Sequence, residues 1–106
     1  MIGKVIRPRF VNGDGLEWAC LYDYLCEHPA ASARIRLPGR IHTGYLTAEL
    51  VRTSDGVLRV DLQVRDNRRG ARSQYQTVQS IDDLELWTTA GHYMPARGVV
   101  IGGDGR

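Results

Sequence analysis

Four arginines, Arg65, Arg68, Arg69 and Arg72, fall within eight residues, with Gly70 among them and Tyr75 close behind. A guanidinium presents a planar fork of N–H donors that matches phosphate or carboxylate oxygens two bonds at a time. A nearby tyrosine ring offers a face on which a nucleobase can stack. The chemistry that suits this spacing is a non-covalent grip on a polyanion, with phosphates held by the arginines and a base by Tyr75. The ordinary alternative is a hairpin tip that is polar because water surrounds it. Arg34, Arg36 and Arg40 extend the surface if the fold brings them to the same side. The expected binding set is therefore Arg34, Arg36, Arg40, Arg65, Arg68, Arg69, Arg72 and Tyr75.

Charge placement supports a patchy surface more than total charge does. The net charge is only +2, from 14 basic and 12 acidic residues. Residues 28–48 hold Arg34, Arg36 and Arg40 and no acid, whereas residues 14–27 hold Asp14, Glu17, Asp23 and Glu27 and no base. Such asymmetry governs which partners approach which side. The acidic stretch is an ordinary solvated face or a dock for a basic protein.

Catalytic chemistry finds little support. There is no nucleophile elbow, phosphate loop or dinucleotide fingerprint. Glu49 and Asp61 come opposite each other in the hairpin register derived below, and a surface pair eased by Arg59 explains them better than a catalytic dyad. Cys26 and His28 are close, but His42 and His92 lie far along the chain and no CxxC or HxxxH spacing occurs, so neither metal nor cofactor is indicated. Cys20 and Cys26, six apart, point about 240° away from each other on a helix and read as small, buried or half-buried free thiols.

The elements that must position these residues follow from periodicity. Residues 2–11 suggest a short edge strand interrupted by Pro8. Asn12-Gly13-Asp14-Gly15 is a turn, and Asp14 with Glu17 resembles a capping box opening a helix over residues 15–28. Trp18, Leu21, Tyr22, Leu25 and Cys26 form its apolar face, and Pro29 stops it at His28. From Ala33 the period becomes two. Ile35 and Leu37, then Leu46, Ala48 and Leu50, then Leu58, Val60, Leu62 and Val64 alternate with polar residues, as in half-buried antiparallel strands.

Parity settles the hairpin between the last two sets. Both inward sets are even-numbered, and opposed residues share a face. A three-residue loop, Ser54-Asp55-Gly56, pairs Leu50 with Val60 and Ala48 with Leu62, and puts glycine at the left-handed third position. Tyr45 then points outward beside Thr43 and Thr47, a hint of a binding face. A fourth strand follows over about residues 73–79, where Val78 argues for one inward face and Tyr75 and Thr77 for the other. Ser80-Ile81-Asp82-Asp83 makes one helical turn, residues 84–87 a fifth strand, and residues 98–101 one more within the glycine-rich tail. Trp18 and Trp87 read as core anchors, with an exposed contact residue as the alternative for either.

Short strand, long hairpin, basic hairpin, single helical turn, short strand: this order over residues 33–88 resembles the SH3-like small β-barrel, whose last two strands are likewise joined by one such turn. The resemblance covers about half the chain. It implies an α+β domain, a five-stranded antiparallel barrel with the helix packed on it; the runner-up is an open sheet with the helix across one face. Residues 1–106 read as one domain: 1–14 strand and turn, 15–28 helix, 33–88 barrel, 89–106 tail. Trp18, Leu21, Leu25, Leu46, Leu50, Leu58, Val60, Leu62, Leu84 and Leu86 are the expected core. No apolar run approaches the ~20 residues of a membrane span. Residues 1–6 lack the long apolar stretch of a signal peptide, so the chain reads as cytoplasmic with no membrane partner. Barrels of this kind serve many ends. The function expected first is a non-enzymatic nucleic-acid-binding module, as in an accessory subunit of a nucleoprotein complex. Second comes a protein-interaction module or inhibitor, of the kind a phage, plasmid or host regulator uses, docking through a sheet edge or the acidic helix.

Overall fold

The computed structural model describes residues 8–13 and 15–102. In chain order its elements are α1 (Leu16–Glu27), β1 (Ser32–Leu37), β2 (Arg40–Arg52), β3 (Leu58–Arg65), β4 (Tyr75–Thr77), β5 (Leu84–Trp87), β6 (Tyr93–Pro95) and α2 (Ala96–Val100). The strands form one sheet in the order β4-β3-β2-β1-β5-β6, every pair antiparallel. The fold is thus α+β.

The β2–β3 hairpin takes the register that parity requires. Leu50 lies opposite Val60, Ala48 opposite Leu62 and Glu49 opposite Asp61. Thr53 N–H donates to Val57 O at 3.0 Å and closes the three-residue loop. Gly56 there has φ of 83°, a conformation that costs an L side chain about 1 kcal/mol or more. The single turn over Ile81–Asp83 also forms, its first N–H groups capped by Ser80 Oγ, which accepts from Asp82 N–H. Helix α1 ends at His28, whose N–H donates to Tyr24 O at 2.8 Å, one residue before Pro29.

The sheet is open, and this corrects the barrel. Its edges β4 and β6 do not pair with each other among the described residues, and the strands number six. The free edge of β5, through which the ring would close, is taken by β6 with Leu86 opposite Met94. The tail is corrected with it. The strand lies at Tyr93–Pro95, and residues expected as a strand belong instead to α2, Ala96–Val100. Pro95 has no N–H to extend a ladder, and beyond it Val99, Val100 and Ile101 pack from a helical turn against the core. Of the expected N-terminal strand and the Asp14 cap, residues 2–7 and Asp14 lie outside the described residues. Arg9 and Val11 bond to Val60 in parallel, Val60 N–H donating to Arg9 O at 2.7 Å.

One face of the sheet buries Ala33, Ile35, Leu46, Val60, Leu62, Val64, Leu84 and Leu86 against Trp18 and Leu21 of α1. Val78 is 1% exposed, which settles the inward face after β4. Leu25 is only partly buried. Leu50 and Leu58, expected inside, are 70% and 52% exposed. The reason is length. A strand of 13 residues spans roughly 44 Å and a helix of 12 roughly 18 Å. The hairpin tip therefore continues past the end of the core. Trp87 is likewise outside, at 46% exposure. Cys20 is half-buried and Cys26 exposed, both free. Among the described residues no helix is long and apolar enough to cross a membrane.

Candidate functional site

The outer face of the sheet, opposite the helices, carries the odd-numbered residues of β2 and β3 and the even-numbered residues of β1. Arg34 and Arg36 stand there on β1 and share one carboxylate. Arg34 Nε donates to Glu85 Oε1 at 2.5 Å and Arg36 Nη2 to Glu85 Oε2 at 3.3 Å. Arg65, at the end of β3, donates to Glu49 Oε2 at 3.4 Å and lies 5.2 Å from the centre of the Tyr75 ring. Tyr75 on β4 is 47% exposed and opposite Arg65.

Arg68, Arg69 and Arg72 lie on the β3–β4 connection rather than on the face, and Arg40 is the first residue of β2. The β1–β2 turn and the β3–β4 loop point toward the same end of the sheet, but β3 ends opposite Tyr45, five residues or about 17 Å along β2 from Arg40. All four side chains are exposed. Arg68 Nε is 3.9 Å from Asp66 Oδ2, while Arg40, Arg69 and Arg72 have no carboxylate within ion-pair distance among the described residues. The loop is not an open finger. Arg68 N–H donates to Asp66 Oδ1 at 3.0 Å, Asp66 N–H to Gln74 O at 2.8 Å, and a helical turn occupies Gly70–Arg72. The eight expected residues therefore do not form one group: Arg34, Arg36, Arg65 and Tyr75 stand on the sheet face, Arg68, Arg69 and Arg72 in the β3–β4 loop, and Arg40 apart from them at the start of β2.

The face also holds residues the arginine pattern does not single out. Ser32, Tyr45, Arg65 and Tyr75 are successive partners across β1, β2, β3 and β4. Trp87 and Tyr93 pair across β5 and β6, their rings edge to face with centres 5.1 Å apart. Arg34 covers Tyr93 at 4.1 Å. Ala33 lies opposite Leu86, so Trp87 falls beside Ser32 and the two rows join. Tyr93, Trp87, Tyr45 and Tyr75 thus stand in one line perpendicular to the strands, over five strand spacings or about 24 Å. Parity alone exposes Trp87: if Leu84 and Leu86 face inward, Glu85 and Trp87 face out.

Glu49 and Asp61 are opposite as expected, but the relief comes from elsewhere. Arg59 pairs with Asp55 at 3.1 Å. Gln63 Nε2 donates to Asp61 at 2.8 Å and to Glu49 at 3.2 Å, and Thr77 Oγ1 donates to Asp61 at 3.1 Å. Asp61 is buried rather than a surface acid. His42 is buried too, its Nε2–H donating to Val64 O at 3.0 Å. On the opposite side, Glu17 of the acidic helix is held by Arg97, which also donates to Asp82 Oδ1 at 2.9 Å, while Asp23 and Glu27 remain exposed.

Four carboxylates, Asp55, Asp66, Asp82 and Glu85, titrate below their ordinary values. Thr53 Oγ1–H, Val57 N–H and Arg59 hold Asp55 down at about 2. The Arg34 hydrogen bond, then the charges of Arg34 and Arg36, hold Glu85 below its ordinary 4.5. A carboxyl whose folded value is the lower one contributes stability above its unfolded value and loses it as pH falls through the folded one. Thermal melts of the protein are therefore expected to drop between roughly pH 5 and pH 2. In the Glu85→Gln variant the neutral-pH melting temperature is expected to be lower and this drop shallower. An unchanged acid slope in that variant would show that the Arg34–Glu85 pair does not stabilise the fold.

Comparison of the chain with protein-family models, curated proteins and solved structures finds no match.

Proposed function

We propose that this protein is a small non-enzymatic nucleic-acid-binding module. The observation that carries the reading is the positive rim. That rim is the β3–β4 loop, where Arg68, Arg69 and Arg72 are exposed with Asp66 as the acid beside them, and Arg40 is exposed farther along at the start of β2. On the sheet face Arg34 and Arg36 share Glu85 and Arg65 pairs with Glu49, so the loop arginines carry the argument. Exposed guanidiniums without carboxylate partners are free to exchange water for phosphate oxygens, and each such contact releases counterions. The strand order, with β1 between β2 and β5 and one helical turn leading into β5, fits an opened relative of the SH3-like barrel. Fold alone would leave function undetermined, so the weight rests on the arginines.

The test is fluorescence anisotropy with a dye-labelled 12-nucleotide strand at two salt concentrations. Binding is expected to weaken steeply as salt rises. The double variant Arg68→Ala, Arg69→Ala is expected to bind at least tenfold more weakly at low salt, with a log–log salt slope shallower by about 2. Binding unchanged by the double substitution, or insensitive to salt, defeats the proposal. A complex with a protein that survives the double variant and disappears on charge reversal of Asp23 and Glu27 would establish the protein-interaction reading in its place.

A further inference from the structure

The exposed tryptophan is at odds with a face that serves only to present arginines. A large aromatic side chain leaves much apolar area in water, and its burial elsewhere is worth about 2 kcal/mol or more. Trp87 is nonetheless 46% exposed, with Tyr93 set edge to face against it and Arg34 fixed over Tyr93. Beside Trp87 a cleft of about 410 Å³ opens between the end of β5 and the end of α1. Its walls are Trp87, the Tyr24 and His28 rings, and the hydroxyl-bearing Ser32, Thr88 and Thr89. The Tyr24 and His28 rings lie 4.3 Å apart, so that wall is an aromatic pair rather than a loose side chain.

We infer that this cleft takes one unpaired nucleobase of a single strand, with the line from Trp87 through Tyr45 to Tyr75 carrying the bases beside it. The inference rests on the nucleic-acid reading above and specifies its substrate as unpaired strands rather than duplexes. Three features select a base as the occupant. The walls are π surfaces, on which any base stacks. The Ser32 and Thr89 hydroxyls at the rim can both donate and accept, as a base edge requires, while Thr88 Oγ1 is engaged with His92 O and Ala90 N–H. The charge does not oppose a phosphate: no carboxylate lines the cleft, and on the outer face beside Trp87 the cluster of Arg34, Arg36 and Glu85 sets two positive charges against one negative. Glu85, the neighbouring acid, is occupied by those two arginines. A duplex cannot use this site, because its bases are already stacked and paired.

Trp87 reports on its own occupancy. The chain has two tryptophans, and the other, Trp18, is only 8% exposed. Oligothymidylate of 12 residues is titrated into the protein at low salt, in parallel with the same strand annealed to oligoadenylate, and tryptophan emission is read alongside anisotropy of a dye label. The single strand is expected to quench emission and to bind at least tenfold more tightly than the duplex. Trp87→Leu is expected to lose about tenfold in single-strand affinity, the effect of one lost stacking partner, with the salt slope unchanged. Trp87→Phe keeps a ring in place and is expected to recover most of that loss, which separates stacking from misfolding. Equal single-strand and duplex affinity, or an unaltered Trp87→Leu affinity, overturns the cleft while the arginine variants continue to report on the rim. If neither nucleic acid binds with salt dependence, the parent reading falls and takes this inference with it.

Discussion

Gly44→Ala is expected to cost roughly 4 kcal/mol or more and to remove most of the cooperative unfolding transition, because its mechanism is a backbone collision rather than a lost contact. A Cβ built on Gly44 falls 1.9 Å from Arg65 O, 2.6 Å from Arg65 C and 2.8 Å from Asp66 Cα. No rotamer change relieves a collision with backbone. The only relief is to part β2 from β3 just where the chain leaves the ladder after Tyr45–Arg65 and turns into the arginine loop. That strains the Asp66 N–H to Gln74 O bond and the His42 bond to Val64 O at once. The control is Gly56→Ala. There nothing lies within 4 Å of the added Cβ, and the cost comes from φ of 83° alone. That cost is about 1–2 kcal/mol. Urea unfolding followed by Trp18 fluorescence checks both. Two glycine variants with equal losses would show that close packing of the Arg65–Asp66 backbone on Gly44 does not stabilise the sheet. Because Gly44 seats the root of the arginine loop, the variant is also expected to weaken nucleic-acid binding in whatever fraction stays folded.

Local pattern revealed what is local. The helix over residues 15–28, its stop before Pro29, the even-to-even register of β2 and β3, the glycine of their loop and the turn at Ile81–Asp83 all depend on neighbours a few residues apart. What stayed hidden depends on distant partners. β1 pairs with β5 across some fifty residues, and only that pairing shows that Arg34 and Arg36 share Glu85 and that Trp87 falls in line with Tyr45. Nothing in the composition of residues 89–102 distinguishes a strand followed by a helix from a strand alone, since its glycines and valines suit either. The arginine site was half legible for the same reason. A cluster in sequence, Arg68, Arg69 and Arg72, stays a cluster in space, whereas the aromatic line gathers one residue from each of four strands and has no sequence neighbourhood at all.

Periodicity also identifies a face without giving its extent, and the second large effect follows from that. Leu46 and Leu50 are four residues apart on the same strand and the same face, and alternation treats them alike. Leu46 is fully buried, with its N–H donating to Ala31 O at 2.8 Å, and it sits among Trp18, Leu21 and Val64 in the core. Leu50 is 70% exposed at the overhanging end of the hairpin. Leu46→Ala is expected to cost about 2–5 kcal/mol, the transfer term for the lost methyl groups plus a cavity that rigid strands on both sides cannot close. Leu50→Ala removes the same atoms and is expected to stay within about 0.5 kcal/mol of the parent, since it opens no cavity. For a chain of this size the first loss lowers the melting temperature by roughly 10 °C or more, while the second shifts it by a few degrees at most. Chemical denaturation of the two single variants and their double decides it. A Leu50→Ala loss approaching that of Leu46→Ala would place the hairpin tip inside the core. The sheet would then curl much further than its open order implies, and the outer face would no longer be broad enough to hold four aromatic rings in one line.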